Sequence, residues 1–348
     1  MRSAGQRPGL ASISDAVDAL AAGQMVIVVD DANRENEGDF VLAAEHATPQ
    51  AINFMATFGR GLICVPMRTA ALDALEIPPA VAHNSDPHRT AFRVSVDHAT
   101  LTTTGISARD RANTIRALID PASAPSDFTR PGHVFPLGYT QGGVLVRAGH
   151  TEAAVDLAAI SGLTPAGVIC EICSSDGEMA RMPELLEIGH AHGLPVLTIA
   201  DLIAYRRRES CKVERVGDAR LPLVAGTFRA VGFVDGSGLE HVALVLGALD
   251  SGRVPLVSIH DESLIGDVFG PGREQLQQSL FRIAAHGNGA VIYLRHGITT
   301  GLAGSIPGRS LNQDDTCVAG EILANLGVRK FQLVTYEPNA DLRHSRTA

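Results

Sequence analysis

The apolar positions of this chain come in short runs, separated by longer stretches in which apolar residues recur at helical spacing. Residues 13–22 predict a helix with Ser14 as its N-cap, and residues 25–29 a buried strand. Strands are expected at 40–44 and 61–67, flanking a helix that Thr48 caps and Pro49 begins, because proline is tolerated at the first helical position. Another strand is expected at 92–96, after which Ser107-Ala-Arg-Asp110 has the form of a capping box opening a helix through Leu118. Residues 143–146 and 168–172 read as strands around a helix that starts near Thr151. Helices and strands thus interleave up to about Tyr205, the order of a layered α/β or α+β core.

The stretch from Arg206 to Arg220 is highly charged and carries little periodic apolar signal, which predicts a solvated linker at 208–220 between domains at 1–207 and 221–348. Beyond it, strands are expected at 227–233, 241–246, 254–259 and 290–294, with helices at 273–286 and 318–326, so the second half has a core of its own. A chain of 348 residues accommodates two such cores, and no internal repeat relates them.

With 45% hydrophobic and 19% charged residues, the composition excludes a mostly disordered chain. No stretch approaches the roughly 20 apolar residues needed to span a bilayer, and no apolar signal core follows the N-terminal arginines; the expectation is a soluble, cytoplasmic protein with no membrane partner. A net charge of -9 argues against a nucleic-acid partner. Five cysteines are too few for a disulfide framework at this length, so thiols in a reducing compartment are expected. Cys170 and Cys173 are three apart on a predicted strand and face opposite sides, which makes them a poor zinc pair.

The densest polar segment, residues 30–39, holds five carboxylates and Arg34 between two apolar runs. On composition it is equally a solvated turn; its place at a strand end and its hard oxygen donors suit a divalent cation such as Mg²⁺. Arg147-Ala-Gly-His150-Thr151-Glu152 follows one predicted strand and opens a helix, so N–H groups, a guanidinium and a hydroxyl converge as in either a phosphate seat or a plain helix cap. Thr102-Thr-Thr-Gly-Ile-Ser107 is a further Gly-containing turn before a helix, and His133, in Arg130-Pro-Gly-His133, is suited to proton transfer near neutral pH or to a structural role.

Taken together, residues 31–39 (Asp-Arg-Glu-Asn-Glu-Gly-Asp, here with Ala32 and Asn33 inside it), Gly61-Leu-Ile-Cys64, Thr90-Ala-Phe-Arg-Val-Ser-Val-Asp97, Thr104-Gly-Ile-Ser-Ala108, Arg130-Pro-Gly-His133, Arg147 to Thr151, Gly167-Val-Ile-Cys-Glu171, Asp176-Gly-Glu-Met-Ala-Arg181 and Asp201-Leu-Ile-Ala-Tyr205 resemble the 3,4-dihydroxy-2-butanone 4-phosphate synthase family of riboflavin biosynthesis, in order and at matching spacing. The resemblance implies a lyase that converts D-ribulose 5-phosphate to L-3,4-dihydroxy-2-butanone 4-phosphate and formate with Mg²⁺ or Mn²⁺, and a homodimer with sites near the subunit interface. Carried onto this sequence, it implies Glu35 and His150 as metal ligands and Glu37, Asp39, Cys64, His133 and Glu171 as the acid–base set. It further implies that Arg34, Glu35, Asp39, Thr104, Arg147, Ala148, Gly149, His150, Thr151 and Glu171 contact substrate, with His133 acting from the partner protomer.

The second half resembles GTP cyclohydrolase II in Pro255-Leu-Val-Ser-Ile-His260, Gly266-Asp-Val-Phe-Gly270, Glu274-Gln-Leu276, Tyr293-Leu-Arg295 and Leu326-Gly-Val328. That family's zinc site needs a lone cysteine and then a Cys-x-Cys. Here Ser263 stands at the first, Arg273 runs straight into Glu274 where the second belongs, and residues 296–301 replace the following Gln-Glu-Gly-Arg-Gly. The implied fold class is α+β, a mixed-sheet α/β layered synthase domain followed by a second α/β domain that keeps its fold, binds no zinc and has lost the hydrolase. A bifunctional enzyme with a rebuilt cyclohydrolase site and a noncatalytic scaffold for riboflavin enzymes are the alternative readings.

Overall fold

The computed structural model describes residues 9–249, 252–295 and 313–334. The chain divides into two compact units between Arg206 and Arg207. The first unit runs α1 (Ile13–Ala21), β1 (Val26–Val29), β2 (Gly38–Ala43), α2 (Pro49–Phe54), β3 (Cys64–Arg68), α3 (Thr69–Ala74), β4 (Val96–His98), α4 (Ala108–Leu118), β5 (Phe128–Tyr139), α5 (His150–Ile160), β6 (Gly167–Glu171), α6 (Met182–His192), β7 (Val196–Thr198) and α7 (Ile199–Cys211), in which the division falls. Its strands form one mixed sheet in the order β4-β5-β3-β6-β2-β1-β7, with β1–β7 and β3–β5 parallel and the other pairs antiparallel.

Successive residues of the central strands alternate between two apolar layers. Ile27, Val29, Phe40, Leu42 and Val65 enter one, covered by Ile52 of α2, Leu72 of α3, Ile115 of α4 and Leu185 of α6. Val26, Val28, Val41 and Cys64 enter the other, covered by Leu20 of α1, Leu157 of α5 and Leu202 of α7. Burial on both faces is why these strands read as unbroken apolar runs, and it leaves the strand ends as the place where polar chemistry can reach solvent.

Local expectations changed in four places. Ser12 caps α1 in place of Ser14, accepting from the Asp15 N–H while Asp15 reaches back to the Ser12 N–H. The strand expected at 61–67 starts at Cys64, because Arg60 is left-handed at φ 65° and turns the chain. Residues 92–96 contribute isolated bridges, with β4 confined to Val96–His98. Residues 143–146 hold a single 3₁₀ turn, Gly143–Leu145, entered through Gly142 and Gly143 at φ 98° and 67°, values no strand adopts.

The second unit runs β8 (Val213–Leu223), β9 (Gly226–Asp235), β10 (Glu240–Leu246), β11 (Leu256–Asp261), α8 (Leu264–Phe269), α9 (Pro271–His286), β12 (Gly289–Leu294), α10 (Gln313–Asn325) and β13 (Gln332–Leu333). The sheet order is β13-β11-β12-β10-β9-β8, mixed in direction. One face packs Val231, Phe233, Val245 and Ile292 against Ile322 and Leu323 of α10; the other packs Phe228 and Val291 against Leu280 and Ile283 of α9. The stretch expected as a linker at 208–220 is instead the end of α7 and most of β8. This edge strand is exposed along almost its whole length and therefore carries no apolar period. No described helix is long and apolar enough to cross a membrane.

The expectation of thiols holds for Cys64, Cys170 and Cys173 and fails for the other two: Cys211 at the end of α7 and Cys317 of α10 form a disulfide, with Cα atoms 5.7 Å apart. Sequence spacing could not reveal it, because the partners are 106 residues apart. Closing a loop of that length restricts the unfolded chain by roughly 4–5 kcal/mol in the chain-entropy account. Cys317→Ser is expected to lower the stability of the second unit by up to about this amount in denaturant titrations. Reductant should bring the parent protein down to the variant's midpoint and leave the variant unchanged.

Candidate active site

The first unit collects its titratable groups at one end of the sheet. Asp30 follows β1, Asp39 lies near the start of β2 opposite Glu171 at the end of β6, and His150 is the first residue of α5. Between Asp30 and Asp39 the acidic segment folds back on Asp30, whose side chain is fully buried. Asp30 Oδ1 accepts the Glu37 N–H at 2.8 Å; Oδ2 accepts the Glu35 N–H at 3.0 Å and Arg34 Nη1 at 2.9 Å. Arg181, the N-cap of α6, donates to the carbonyls of Glu35 and Asn36 from outside the loop. The loop is therefore fixed by its own backbone, and Asn36 adopts a left-handed φ of 55° to make the turn.

The fixed loop carries Glu35 to the α5 N-terminus, where Glu35 Oε2 lies 3.7 Å from His150 Nδ1. Ligand atoms from Asp30, Glu35 and His150 lie within 4.8 Å of one another, and no other group of three potential ligands occurs among the described residues. His150 is 6% exposed and its Nε2 is buried with no hydrogen-bond partner. A buried, unpaired imidazole nitrogen among carboxylates fits a divalent cation, which would satisfy the nitrogen and the surplus negative charge together. Both Asp30 oxygens already accept donors, three in all, whereas Glu35 accepts Arg34 through Oε2 alone, so Glu35 and His150 are the side chains better placed to ligate.

The electrostatics follow from crowding. Proximity of the His150 ring, helped by Arg34, holds Glu35 down to about 2 against the opposing effect of burial. Burial by itself would lower His150, but Asp39, Glu35 and Asp30 outweigh it and raise the imidazole to about 9. Asp39 is pushed up to about 7 by burial, with Glu171, Glu35 and Glu37 adding to the effect and His150 opposing it. Glu37 is raised by burial and by Glu35. Cys64, 2% exposed, is held well above the usual thiol range by burial and by Glu171 and Asp39, so it is a neutral thiol.

Glu171 is positioned by the turn before β3: its Oε2 accepts the Leu62 N–H at 2.8 Å. A Cβ on Gly61 would come within 2.5 Å of that oxygen and 2.6 Å of the Glu171 carbonyl, so only glycine lets the carboxylate lie over this turn. At the start of α5, Gly149 is an N-cap with no side-chain oxygen, leaving the first-turn N–H groups uncapped beside Thr151. Arg147 is more committed than the sequence implies: Nη1 donates to Glu152 at 2.6 Å, and Nη2 to the His88 carbonyl at 3.0 Å and to Thr90 Oγ1 at 3.3 Å. Glu152, fully buried, also takes the Thr140 N–H.

Two expected site residues fall elsewhere. His133 lies on β5, whose line in the sheet is three strand spacings, about 14 Å, from β2. Thr104 is exposed in the turn that packs on His133. Asp30 and Arg181, which set the acidic loop, were assigned no role from sequence. A carboxylate five residues before Glu35 at a strand end was the available signal for Asp30, whereas nothing local signals that Arg181 folds back on the loop.

A buried acid beside a buried imidazole, with a place for a cation at the polar end of a layered sheet, is an arrangement suited to an enzyme that moves protons on an oxygen-rich substrate. Residues 14–205 match the family model described as 3,4-dihydroxy-2-butanone 4-phosphate synthase, and residues 214–341 that described as GTP cyclohydrolase II. The riboflavin biosynthesis protein RibBA of Bacillus subtilis (strain 168) is 50% identical over 351 residues, covering 94% of this chain and 88% of its own. RibBA of Bacillus mycoides (strain KBAB4) is 47% identical over the same shares. Among solved structures, RibBX of A. baumannii, described as a two-domain 3,4-dihydroxy-2-butanone 4-phosphate synthase, is 36% identical with TM-score 0.60 and 94% of each chain covered. A 3,4-dihydroxy-2-butanone 4-phosphate synthase in complex with two magnesium ions is 43% identical with TM-score 0.55, covering 57% of this chain and 97% of its own. The chain belongs to the 3,4-dihydroxy-2-butanone 4-phosphate synthase family, carries a GTP cyclohydrolase II family domain behind it, and is a riboflavin-biosynthesis lyase that forms L-3,4-dihydroxy-2-butanone 4-phosphate and formate from D-ribulose 5-phosphate.

Gly61→Ala tests the seat of Glu171. The added methyl must displace that carboxylate, and formate release is expected to fall roughly hundredfold, the cost of a misplacement on the order of 1 Å. Circular dichroism should be unchanged, and a rate within twofold of the parent would show that Glu171 is not held by this turn.

Proposed function

We propose that the synthase reaction takes place around Glu35 and His150, which hold one divalent cation, Mg²⁺ with Mn²⁺ as a substitute. The observation that carries this is the buried His150 ring, whose Nδ1 lies 3.7 Å from Glu35 Oε2 and whose Nε2 has no hydrogen-bond partner. When bound, the cation supplies Lewis-acid stabilisation of substrate oxygens as negative charge develops on them. The imidazole suits Mn²⁺ and is tolerated by Mg²⁺.

The remaining work belongs to the chain's own side chains. Ribulose 5-phosphate must lose a proton at C3 and the hydroxyl at C1, rearrange its carbon skeleton and release C4 as formate, so several groups must exchange protons at different carbons. Asp39, raised to about 7, is poised to give or take a proton near neutrality. Glu171 and Glu37 flank it, and Cys64, as a neutral thiol, can act only by donating a proton or a weak hydrogen bond. The uncapped start of α5, with Ala148, Gly149 and Thr151, receives phosphate or sugar oxygens. Arg34 and Arg147 contribute through donors not already spent on Asp30, Glu35, Glu152 and the 88–90 loop, and Thr104 adds a hydroxyl. His133 stands to one side of this group with its side chain 43% exposed, which supports a homodimer in which it completes the partner's site.

The second domain, in this reading, keeps its fold without zinc or cyclohydrolase activity. Ser263 is the N-cap of α8, accepting the Gly266 N–H at 3.1 Å. Asp267 is occupied by His260 Nε2 at 2.8 Å, the Tyr293 hydroxyl at 2.6 Å and the Ser263 N–H at 3.2 Å. Cys211 and Cys317 are joined to each other. The replacement of the Gln-Glu-Gly-Arg-Gly signature at 296–301 lies outside the described residues. Likeness to RibBA across both halves favours the alternative, a bifunctional enzyme with a rebuilt site. The cytoplasm is the proposed setting.

Glu35→Ala and His150→Ala are each expected to abolish formate release from ribulose 5-phosphate at saturating Mg²⁺ while circular dichroism stays unchanged. Undiminished turnover in both would overturn the ligand assignment. For the second domain, the expected result is no GTP turnover and less than one-tenth equivalent of zinc, by order of magnitude, in protein purified without chelator; stoichiometric zinc with GTP hydrolysis would establish the bifunctional reading.

A further inference from the structure

His133 has a built surrounding that its assigned role does not explain. Asp97, at the centre of β4, is 8% exposed and turns both carboxylate oxygens to this one residue. Oδ1 accepts the His133 backbone N–H at 2.9 Å, and Oδ2 lies 2.7 Å from His133 Nδ1. The register between β4 and β5 slips between Val96 and Asp97, from Val96↔Val134 to Asp97↔Thr129, and this irregularity lets residues 130–133 bow out and aim the ring. Ser95 Oγ receives the Gly132 N–H at 3.2 Å from the same turn.

Two glycines close on the pair. A Cβ on Gly132 would lie 2.0 Å from the Val96 carbonyl carbon, so the bowed segment touches β4 backbone to backbone. A Cβ on Gly105, at φ +90°, would lie 2.0 Å from Asp97 Oδ2 and 2.4 Å from His133 Nδ1. Gly105 is itself pinned by Asp110, which accepts its N–H at 3.0 Å. The imidazole is therefore fixed on its Nδ1 side by three segments of chain, while the side chain as a whole remains 43% exposed.

We propose that Asp97 is a positioning residue for His133: it binds the Nδ1–H and leaves the lone pair of the neutral ring on Nε2, the atom presented for proton transfer. A carboxylate can only accept, so Nδ1 must carry hydrogen in both the neutral and the cationic ring. Which nitrogen works is thus decided before substrate arrives. The inference rests on the reading of His133 as an acid–base group in the synthase reaction and adds the residue that makes it competent.

Asp97→Asn separates this from a packing role. The His133 backbone N–H needs an acceptor and takes the Asn carbonyl, which turns the amide NH₂ toward Nδ1 and drives the ring to the Nε2–H tautomer. The expected result is a roughly hundredfold loss in kcat, within the range of one general acid–base group, with KM changed less than threefold. In ¹⁵N NMR of histidine-labelled protein, the resonance pair missing from His133→Ala among the 13 histidines identifies His133. That pair should report Nδ1–H in the parent and Nε2–H in Asp97→Asn. On a His133→Ala background, Asp97→Asn should cost nothing further. An Nε2–H tautomer at His133 in the parent protein would overturn the proposal, as would an Asp97→Asn loss that adds in full to that of His133→Ala. Full activity in His133→Ala would instead overturn the reading on which the proposal rests.

Discussion

A buried imidazole surrounded by carboxylates is the constraint that shapes the first unit. Asp30, Glu35, Glu37, Asp39 and Glu171 converge on one end of one sheet, and at ordinary pKa values their mutual repulsion, together with the cost of burying them, would oppose folding there. The fold answers each differently. Asp30 is neutralised by two backbone N–H groups and Arg34, Glu35 by Arg34 and the His150 ring, and Glu171 accepts a backbone N–H from Leu62. Asp39 has no such donor and responds by holding its proton to about 7. The carboxylates around His150 favour its protonated ring when no cation is bound, so a cation and a proton compete for the same place.

This explains which parts of the molecule could be read from the sequence. Central strands buried on both faces announce themselves as apolar runs, and α2 and α4 carry their caps in Thr48 and Ser107. Structure held by backbone geometry is nearly silent. The 3₁₀ turn at Gly143–Leu145 has an apolar run's composition but left-handed glycines at its entry, and β8 has a strand's geometry with a linker's composition because neither face is covered. Of the site, Glu35, His150, Asp39 and Glu171 were legible because a run of motifs held them in register. Arg181 and Asp97, which act on backbone or on a second residue far along the chain, carry no local signature.

In the proposed reading the second unit fills with other contacts the positions where the resembled family carries zinc thiolates. Where the resembled family needs a thiolate, Ser263 makes a helix cap, and the neighbouring Asp267 gathers His260, Tyr293 and the Ser263 N–H into one closed network, with His260 and Tyr293 stacked at 5.2 Å. Burial and the bond to Asp267 push the Tyr293 hydroxyl far above its usual range. Both Asp267 oxygens are in use in that network, one by His260 and the other by Tyr293 and the Ser263 N–H. This supports the proposed reading of a second domain without the hydrolase, because a hydrolytic site needs an activated water and Asp267 is already occupied by other donors.

His133 and His150 are supported in opposite ways. His150 has a buried ring with one nitrogen unpaired and charge on several sides, the signature of a ligand position. His133 has one nitrogen bonded to a carboxylate and an exposed side chain, the signature of a group meant to meet something arriving from outside. Both are positioned by carboxylates, yet Glu35 near His150 is itself offered to a cation, whereas Asp97 is locked between two glycines and a strand irregularity and spends both oxygens on His133. A group that must move protons repeatedly in one turnover benefits from the second kind of support, because its geometry is the same at each step. In the proposed reading the cation site and most of the acid–base groups lie at the β2–β6 end of the sheet while His133 serves the partner's site from β5, so each substrate meets groups held by two separate kinds of support.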